Sequence, residues 1–157
     1  MTDLHGDAKR YALKLLGYRG RSEAELRERL ARKGFPEDAV ARVVSSLKQA
    51  GYLDDRALAE NLKRQVLENK LLGFAGVKVF LMKRGLSAEV IESVMDYDEE
   101  REMKNVQKLV DKKCASMGNY LTQNDKRRLW HFLARRGYSS GIIRKALKDP
   151  GLNEEDN

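Results

Sequence analysis

The residue types that most often carry catalysis or bind metals are few and scattered in this chain of 157 residues. Its two histidines, His5 and His131, stand far apart, and the single cysteine, Cys114, lacks partners at the spacing of a metal site. Lys112 and Lys113 beside Cys114 could activate its thiol as a nucleophile, but a lone helical cysteine more often serves as a small apolar side chain. With no phosphate-binding glycine loop or nucleophile motif either, the sequence predicts a non-enzyme without metal or cofactor sites.

Basic residues offer a different chemistry, which is the binding of phosphates or carboxylates. Three pairs of basic residues each precede a glycine, namely Arg32-Lys33, Lys83-Arg84 and Arg135-Arg136. As a set they predict a basic ridge toward an anionic partner, and Arg19 and Arg21 extend it in the first segment. The alternative for any single pair is that it only complements the dipole at the C-terminus of a helix.

The glycines that follow these pairs mark an internal repeat. Gly34, Gly85 and Gly137 are 51 and then 52 residues apart. Around each glycine, apolar residues recur at spacings of three and four, which predicts two amphipathic helices joined at the glycine. The positions eight before, four before and six after the glycine are Leu26, Leu30 and Val40, then Val77, Leu81 and Ile91, then Leu129, Leu133 and Ile143. A further apolar stripe before each pair of helices predicts a third helix in every repeat.

The predicted fold is all-α, with three tandem three-helix repeats stacked into an elongated, curved body. The repeats are predicted at residues 7–53, 54–96 and 97–148, and residues 149–157 are expected to form a disordered acidic tail. A unit of about 50 residues has a marginal core by itself, so neighbouring repeats are expected to pack on one another. Ser22 to Glu25 reads as a capping box, and the other predicted N-caps are Ser87, Ser139 and Asp125.

The net charge of +7 is distributed unevenly along the chain. Residues 6–52 carry +5, residues 53–96 are neutral, and residues 97–148 carry +7, before an acidic tail of −4. Basic outer repeats favour a polyanionic or acidic partner, and the alternative is a solvated surface with a basic bias. The longest apolar run, Val79 to Met82, is far shorter than the about 20 residues of a membrane span. One cysteine and no visible secretory signal favour the cytoplasm.

The middle repeat is unusually apolar in its second helix. Val79, Phe80 and Met82 stand where the first repeat carries Glu28, Arg29 and Ala31. Packing against flanking repeats is the interpretation we favour for the extra apolar residues. The alternative is a partner-binding patch formed by Phe80 and Met82.

These features together resemble the RecX family of bacterial regulatory proteins, which modulate the RecA recombinase. The resemblance spans residues 8–148 and is strongest at Gly51-Tyr52-Leu53-Asp54-Asp55-Arg56, the junction between the first two repeats. The supporting segments are Arg21 to Leu30, Gly85-Leu86-Ser87 and Arg135-Arg136-Gly137-Tyr138. The chain departs from the family pattern at Phe80, where the family usually carries an acidic residue.

The resemblance implies three three-helix repeats that lie along the groove of the RecA–single-stranded-DNA filament. It also implies inhibition of strand exchange, ATP hydrolysis and coprotease activity, by a monomer without a cofactor. The competing prediction is a helical module that contacts the phosphates of single-stranded or duplex DNA directly, since short helices joined by glycine turns are also typical of DNA-binding proteins.

Overall fold

The computed structural model describes residues 3–118 and 121–147, and the regular secondary structure of this part of the chain is entirely helical. The helices are α1 (Leu4–Tyr18), α2 (Glu23–Lys33), α3 (Glu37–Gln49), α4 (Asp55–Gln65), α5 (Phe74–Lys83), α6 (Ala88–Val94), α7 (Glu99–Cys114), α8 (Gln123–Arg135) and α9 (Ser140–Leu147). A π-helical turn, Val66–Lys70, extends α4. The order confirms the prediction of three helices per repeat, with α1–α3, α4–α6 and α7–α9 as the three sets. The predicted tail lies outside the described residues.

The helices begin where short polar side chains can satisfy their free N–H groups. Ser22 and Glu25 form the predicted capping box at α2, since each side chain accepts a hydrogen bond from the other residue's backbone N–H. Ser87 caps α6 as predicted. At α8 the prediction of Asp125 as the N-cap was wrong, because Thr122 is the cap and Asp125 is its partner in a second capping box.

Each second helix ends one or two residues before the glycine that the repeat predicted. Gly34, Gly85 and Gly137 have φ values of +102°, +78° and +93°, in the left-handed region where a side chain is strained. The chain therefore turns sharply between the second and third helix of every repeat.

The predicted apolar positions form the core. The nine residues at the three repeated offsets from the glycines are all buried. In the first repeat they pack with Ala8, Ala12 and Leu15 of α1. In the third repeat Leu133 and Ile143 pack with Val106, Leu109 and Val110 of α7. The spacing of apolar residues thus identified which helix faces are buried.

The chain packs into two compact units. The first contains Leu81–Met95 and the described residues up to Leu62, and the second contains Lys63–Phe80 and the described residues from Asp96 onward. The division falls within α4 and within α5, so the middle repeat contributes to both units. Across the described residues no helix is long and apolar enough to cross a membrane.

Candidate interaction surface

The first basic pair, at the end of α2, lies on an open turn. Arg32 is exposed and its guanidinium is 2.7 Å from the Glu28 carboxylate, one helical turn earlier. The Lys33 ammonium lies 5.4 Å from the centre of the Tyr11 ring. A Cβ atom added to Gly34 would meet none of the described atoms within 4 Å. Both basic side chains therefore remain accessible to a partner.

In the second pair, the two residues have different surroundings. Lys83 is exposed, whereas the side chain of Arg84 is only 16% exposed. Nη2 of Arg84 donates to the carbonyl of Gly20 at 2.9 Å, and its Nε lies 3.2 Å from Oε2 of Glu25. Arg84 therefore fastens the turn after α5 to the junction between α1 and α2, and the fold already accounts for its charge.

The acidic partner of Arg84 belongs to the capping box of α2. Burial alone would raise the pKa of Glu25, but hydrogen bonds from the Ser22 backbone and from Arg84 hold that pKa below its ordinary value. Glu25 stays ionised and serves both the helix start and the docked arginine.

The third pair, like the second, has one exposed residue and one residue that is bound within the fold. Arg135 is exposed, whereas Arg136 donates a hydrogen bond to the carbonyl of Lys70 and lies 4.9 Å from the Phe132 ring. A backbone hydrogen bond also links the two segments, because the N–H of Gly73 donates to the carbonyl of Arg136 at 2.8 Å. The turn after α8 is thus docked on the junction between α4 and α5, as the turn after α5 is docked on the junction between α1 and α2.

A carboxylate from the later repeat completes each docked junction. Asp55 at the start of α4 accepts a hydrogen bond from the N–H of Glu23 at 2.9 Å, and buried Glu102 of α7 accepts one from the N–H of Phe74. Burial raises the pKa of both carboxyl groups despite these hydrogen bonds. These contacts give Asp55, in the Gly51–Arg56 motif, a structural role as a cap for the first residue of α2.

The end of the π-helical turn is held by side chains of the third repeat. Leu71, the residue after the π-helical turn, has a φ of +52° and so lies in the left-handed region, where the helix ends. The Tyr138 hydroxyl donates to Leu71 O at 2.5 Å, and Asn105 donates to Leu67 O at 3.4 Å. Together with Arg136, they satisfy three carbonyl groups in a segment where the amphipathic pattern gives no sign of a π-helix.

The two remaining arginines predicted in the first repeat differ in accessibility. Nη2 of Arg19 lies 3.1 Å from Oε2 of Glu25, and its side chain is half-exposed. Arg21 is partly buried and its Nε donates to the carbonyl of Leu15 at 3.3 Å. Burial and the nearby charge of Arg19 lower the pKa of Arg21. Arg19 is therefore the more available of the two.

The predicted apolar patch is partly exposed. Met82 is 64% exposed and Val79 is 49% exposed, while Val77 and Leu81 on the opposite face of α5 are buried. Phe80 is half-buried, with the Lys70 ammonium 4.7 Å from its ring. Packing within the fold therefore accounts for the apolar side chain of Phe80, but it does not account for the exposed apolar side chain of Met82.

Sequence reasoning missed a basic face on α8. Arg127, Arg128, His131 and Arg135 fall within an arc of about 100° around this helix, and we call them the α8 basic face. The three arginines are exposed and His131 is partly exposed. None of the three forms an ion pair within the described part of the chain. A count of acidic residues at positions i−4 and i+4 would have revealed this face.

The remaining candidates for chemistry stay isolated. No group of three or more histidine, cysteine, aspartate or glutamate residues that could hold a metal occurs in the described ranges. Cys114 is a partly buried free cysteine at the end of α7. What the surface offers instead is exposed positive charge on the turns and on α8.

Known proteins share this sequence and this fold. The family models "RecX, first three-helix domain" and "RecX, third three-helix domain" match residues 8–47 and 99–147. The regulatory protein RecX of Mycolicibacterium smegmatis is 35% identical over 154 residues, which cover 95% of this chain and 82% of that protein. The chain belongs to the RecX family. The RecX protein of Pelodictyon phaeoclathratiforme is 30% identical over 161 residues and 99% of both sequences.

A solved RecX structure agrees with the fold. The crystal structure of RecX from Lactobacillus salivarius matches with a TM-score of 0.80, over 94% of this chain and 97% of that one, at 21% identity. The all-α fold of three-helix units is therefore that of RecX proteins, and the family predicted from the junction motif is confirmed.

Proposed function

We propose that this RecX-family chain binds the RecA–single-stranded-DNA filament and mainly inhibits its recombinase, ATPase and coprotease activities. The observation that carries the proposal is the match, over nearly the whole length, to relatives named regulatory protein RecX. A protein that acts by binding needs accessible surface rather than an active site, so we infer a regulator that is not an enzyme. We propose that it acts in the cytoplasm as a monomer.

The geometry narrows the predicted contact residues. Arg84, Arg136 and Arg21 are engaged in the fold, so we propose that the accessible cations Arg32, Lys33, Lys83 and Arg135 contact the filament, with Arg19 as a half-exposed addition. Acidic side chains of RecA are suitable partners for Arg32, Lys33 and Lys83, because charge complementarity speeds association and selects partners. Exposed Met82 supplies the apolar contact that a protein interface usually includes.

A titration into RecA tests this function. The protein is expected to suppress ATP hydrolysis by RecA on single-stranded DNA and to cosediment with the filament, while hydrolysing no ATP alone. Unchanged hydrolysis at saturating protein would contradict the proposal.

The contact residues need a matched pair of variants. Changing Arg32, Lys33, Lys83 and Arg135 to glutamine is expected to weaken inhibition, through four lost charges. The control changes four other exposed arginines, Arg27, Arg29, Arg42 and Arg56, to glutamine. Equal loss in both variants would mean that net charge matters and that the chosen positions do not.

Direct contact with DNA phosphates is the second candidate function. The α8 basic face favours it, because the exposed arginines of this helix form no ion pair within the described residues.

A further inference from the structure

The charge of the folded chain is concentrated around α8. Residues 104–136 contain nine lysine and arginine residues and two aspartates, so their net charge of +7 equals that of the whole protein. Asp125, one of the two aspartates, is already engaged in the capping box of α8. Little negative charge is therefore available to neutralise the helix.

In the corresponding helix of the first repeat, α2, glutamates neutralise the charge of neighbouring arginines. In α2, Arg27 lies 3.1 Å from Glu23 and Arg32 lies 2.7 Å from Glu28, and each pair is four residues apart. In α8, the positions four residues before and after Arg127, Arg128 and Arg135 carry no acidic residue. The nearest acidic residue in sequence is Asp125, whose pKa is lowered by hydrogen bonds from Thr122 and also by the charge of Arg128. Because the two helices occupy the same place in their repeats, the difference is not a requirement of the fold.

Beside the α8 basic face, the ring of Phe132 is partly buried and has the Lys113 and Arg136 cations over it. The exposed large apolar residues among the described ones lie on other helices and loops, with none on α8. Protein–protein interfaces usually have an apolar or aromatic centre, whereas surfaces for nucleic acids are much more positive and more polar. The α8 basic face therefore fits a nucleic-acid backbone better than an acidic protein.

From these observations we infer that the α8 basic face binds single-stranded DNA. Arg127, Arg128 and Arg135 contact backbone phosphates, since a guanidinium fork matches the phosphate oxygens. His131 lies between Arg127 and Arg135 along the helix, with about 6 Å between successive positions. Its partly exposed ring offers a face on which an unpaired base can stack, and a duplex has no such base to offer.

The test measures binding of the full chain to a fluorescent oligothymidine by anisotropy over a range of salt concentrations. It needs no recombinase, so its outcome is independent of the proposed regulation of RecA, while the inference rests on and deepens the second candidate function, direct contact with DNA phosphates. The variant is R127Q/R128Q/R135Q, and the matched control is R27Q/R29Q/R42Q, which removes three exposed arginines from the first repeat. All six side chains are exposed, and circular dichroism checks that both variants fold.

The expected result follows from counterion release. Three lost phosphate contacts lower the slope of log K against log salt by about 2, and they weaken binding about 100-fold at 0.1 M salt. The control is expected to bind within about threefold of wild type, and H131A to weaken oligothymidine binding with an unchanged salt slope.

Several results would overturn the inference. They are absence of oligothymidine binding by the wild-type chain, unchanged binding by the α8 variant, or an equal loss in the control. A larger loss on duplex DNA than on oligothymidine would refute the choice of the single strand. An α8 variant that binds oligothymidine normally and fails only to inhibit RecA would identify a protein contact instead.

Discussion

Alanine substitutions at the three repeat glycines separate backbone strain from the docking of one repeat on another. All three residues are left-handed, so each substitution costs about 1–2 kcal/mol in strain. Gly34 has open space around it, and this strain is its whole expected effect. At Gly85, a Cβ atom would lie 2.8 Å from Oγ of Ser22, a buried side-chain atom that can shift only at the cost of its capping hydrogen bond.

At Gly137 the added atom meets backbone. Its Cβ would lie 1.9 Å from the amide nitrogen and 2.4 Å from Cα of Gly76. Neither atom can move without shifting α5, so overpacking adds about 1–3 kcal/mol to the strain. The expected loss in free energy of unfolding is therefore largest for Gly137→Ala, intermediate for Gly85→Ala and smallest for Gly34→Ala.

Urea titration of the three variants provides the measurement. Far-UV ellipticity follows all helices, and the emission of Trp130, the only tryptophan, follows α8. Trp130 packs against the core of the third repeat, so its transition is expected to shift most in Gly137→Ala. If Gly34→Ala and Gly137→Ala lose the same free energy, the close approach of Gly137 to Gly76 is not what demands a glycine.

Two further predictions concern the docked junctions. Arg84→Ala is expected to lower the free energy of unfolding by about 2 kcal/mol, since it removes charged hydrogen bonds, while Lys83→Ala changes it by less than about 0.5 kcal/mol; equal losses in urea titrations would contradict the assignment of Arg84 as the docked residue. Glu102 has a folded-state pKa above its ordinary value of 4.5, so its contribution to stability falls as the pH rises from about that value through the folded-state pKa. Glu102→Gln keeps an acceptor for the N–H of Phe74 and is expected to lose this part of the pH dependence, so its stability relative to wild type rises with pH; parallel profiles of unfolding free energy against pH would refute this.

Local patterns were enough to predict the helices and their buried faces. The offsets from Gly34, Gly85 and Gly137 predicted the order of helices and nine core positions, because amphipathic spacing depends only on which side of a helix is buried. The capping box at Ser22 was predictable for the same reason, since its donors and acceptors lie within four residues.

The roles of the basic residues were not predictable in this way. Lys83 and Arg84 are adjacent basic residues that look alike in sequence, and only the distant Gly20 carbonyl and Glu25 carboxylate distinguish them. The residue after the π-helical turn accepts a hydrogen bond from Tyr138, which lies 67 residues from its acceptor Leu71. Contacts between residues so far apart leave no local pattern.

Docking has a direction, because the turn of a later repeat always rests on the junction of the earlier one. This matters during synthesis, when the N-terminal residues leave the ribosome first. The first repeat has a complete core within residues 8–53 and can pack as soon as they emerge. Lys63–Phe80 emerges later, and the remainder of its compact unit begins only at Asp96. This part of the middle repeat therefore completes its packing only after the third repeat has emerged.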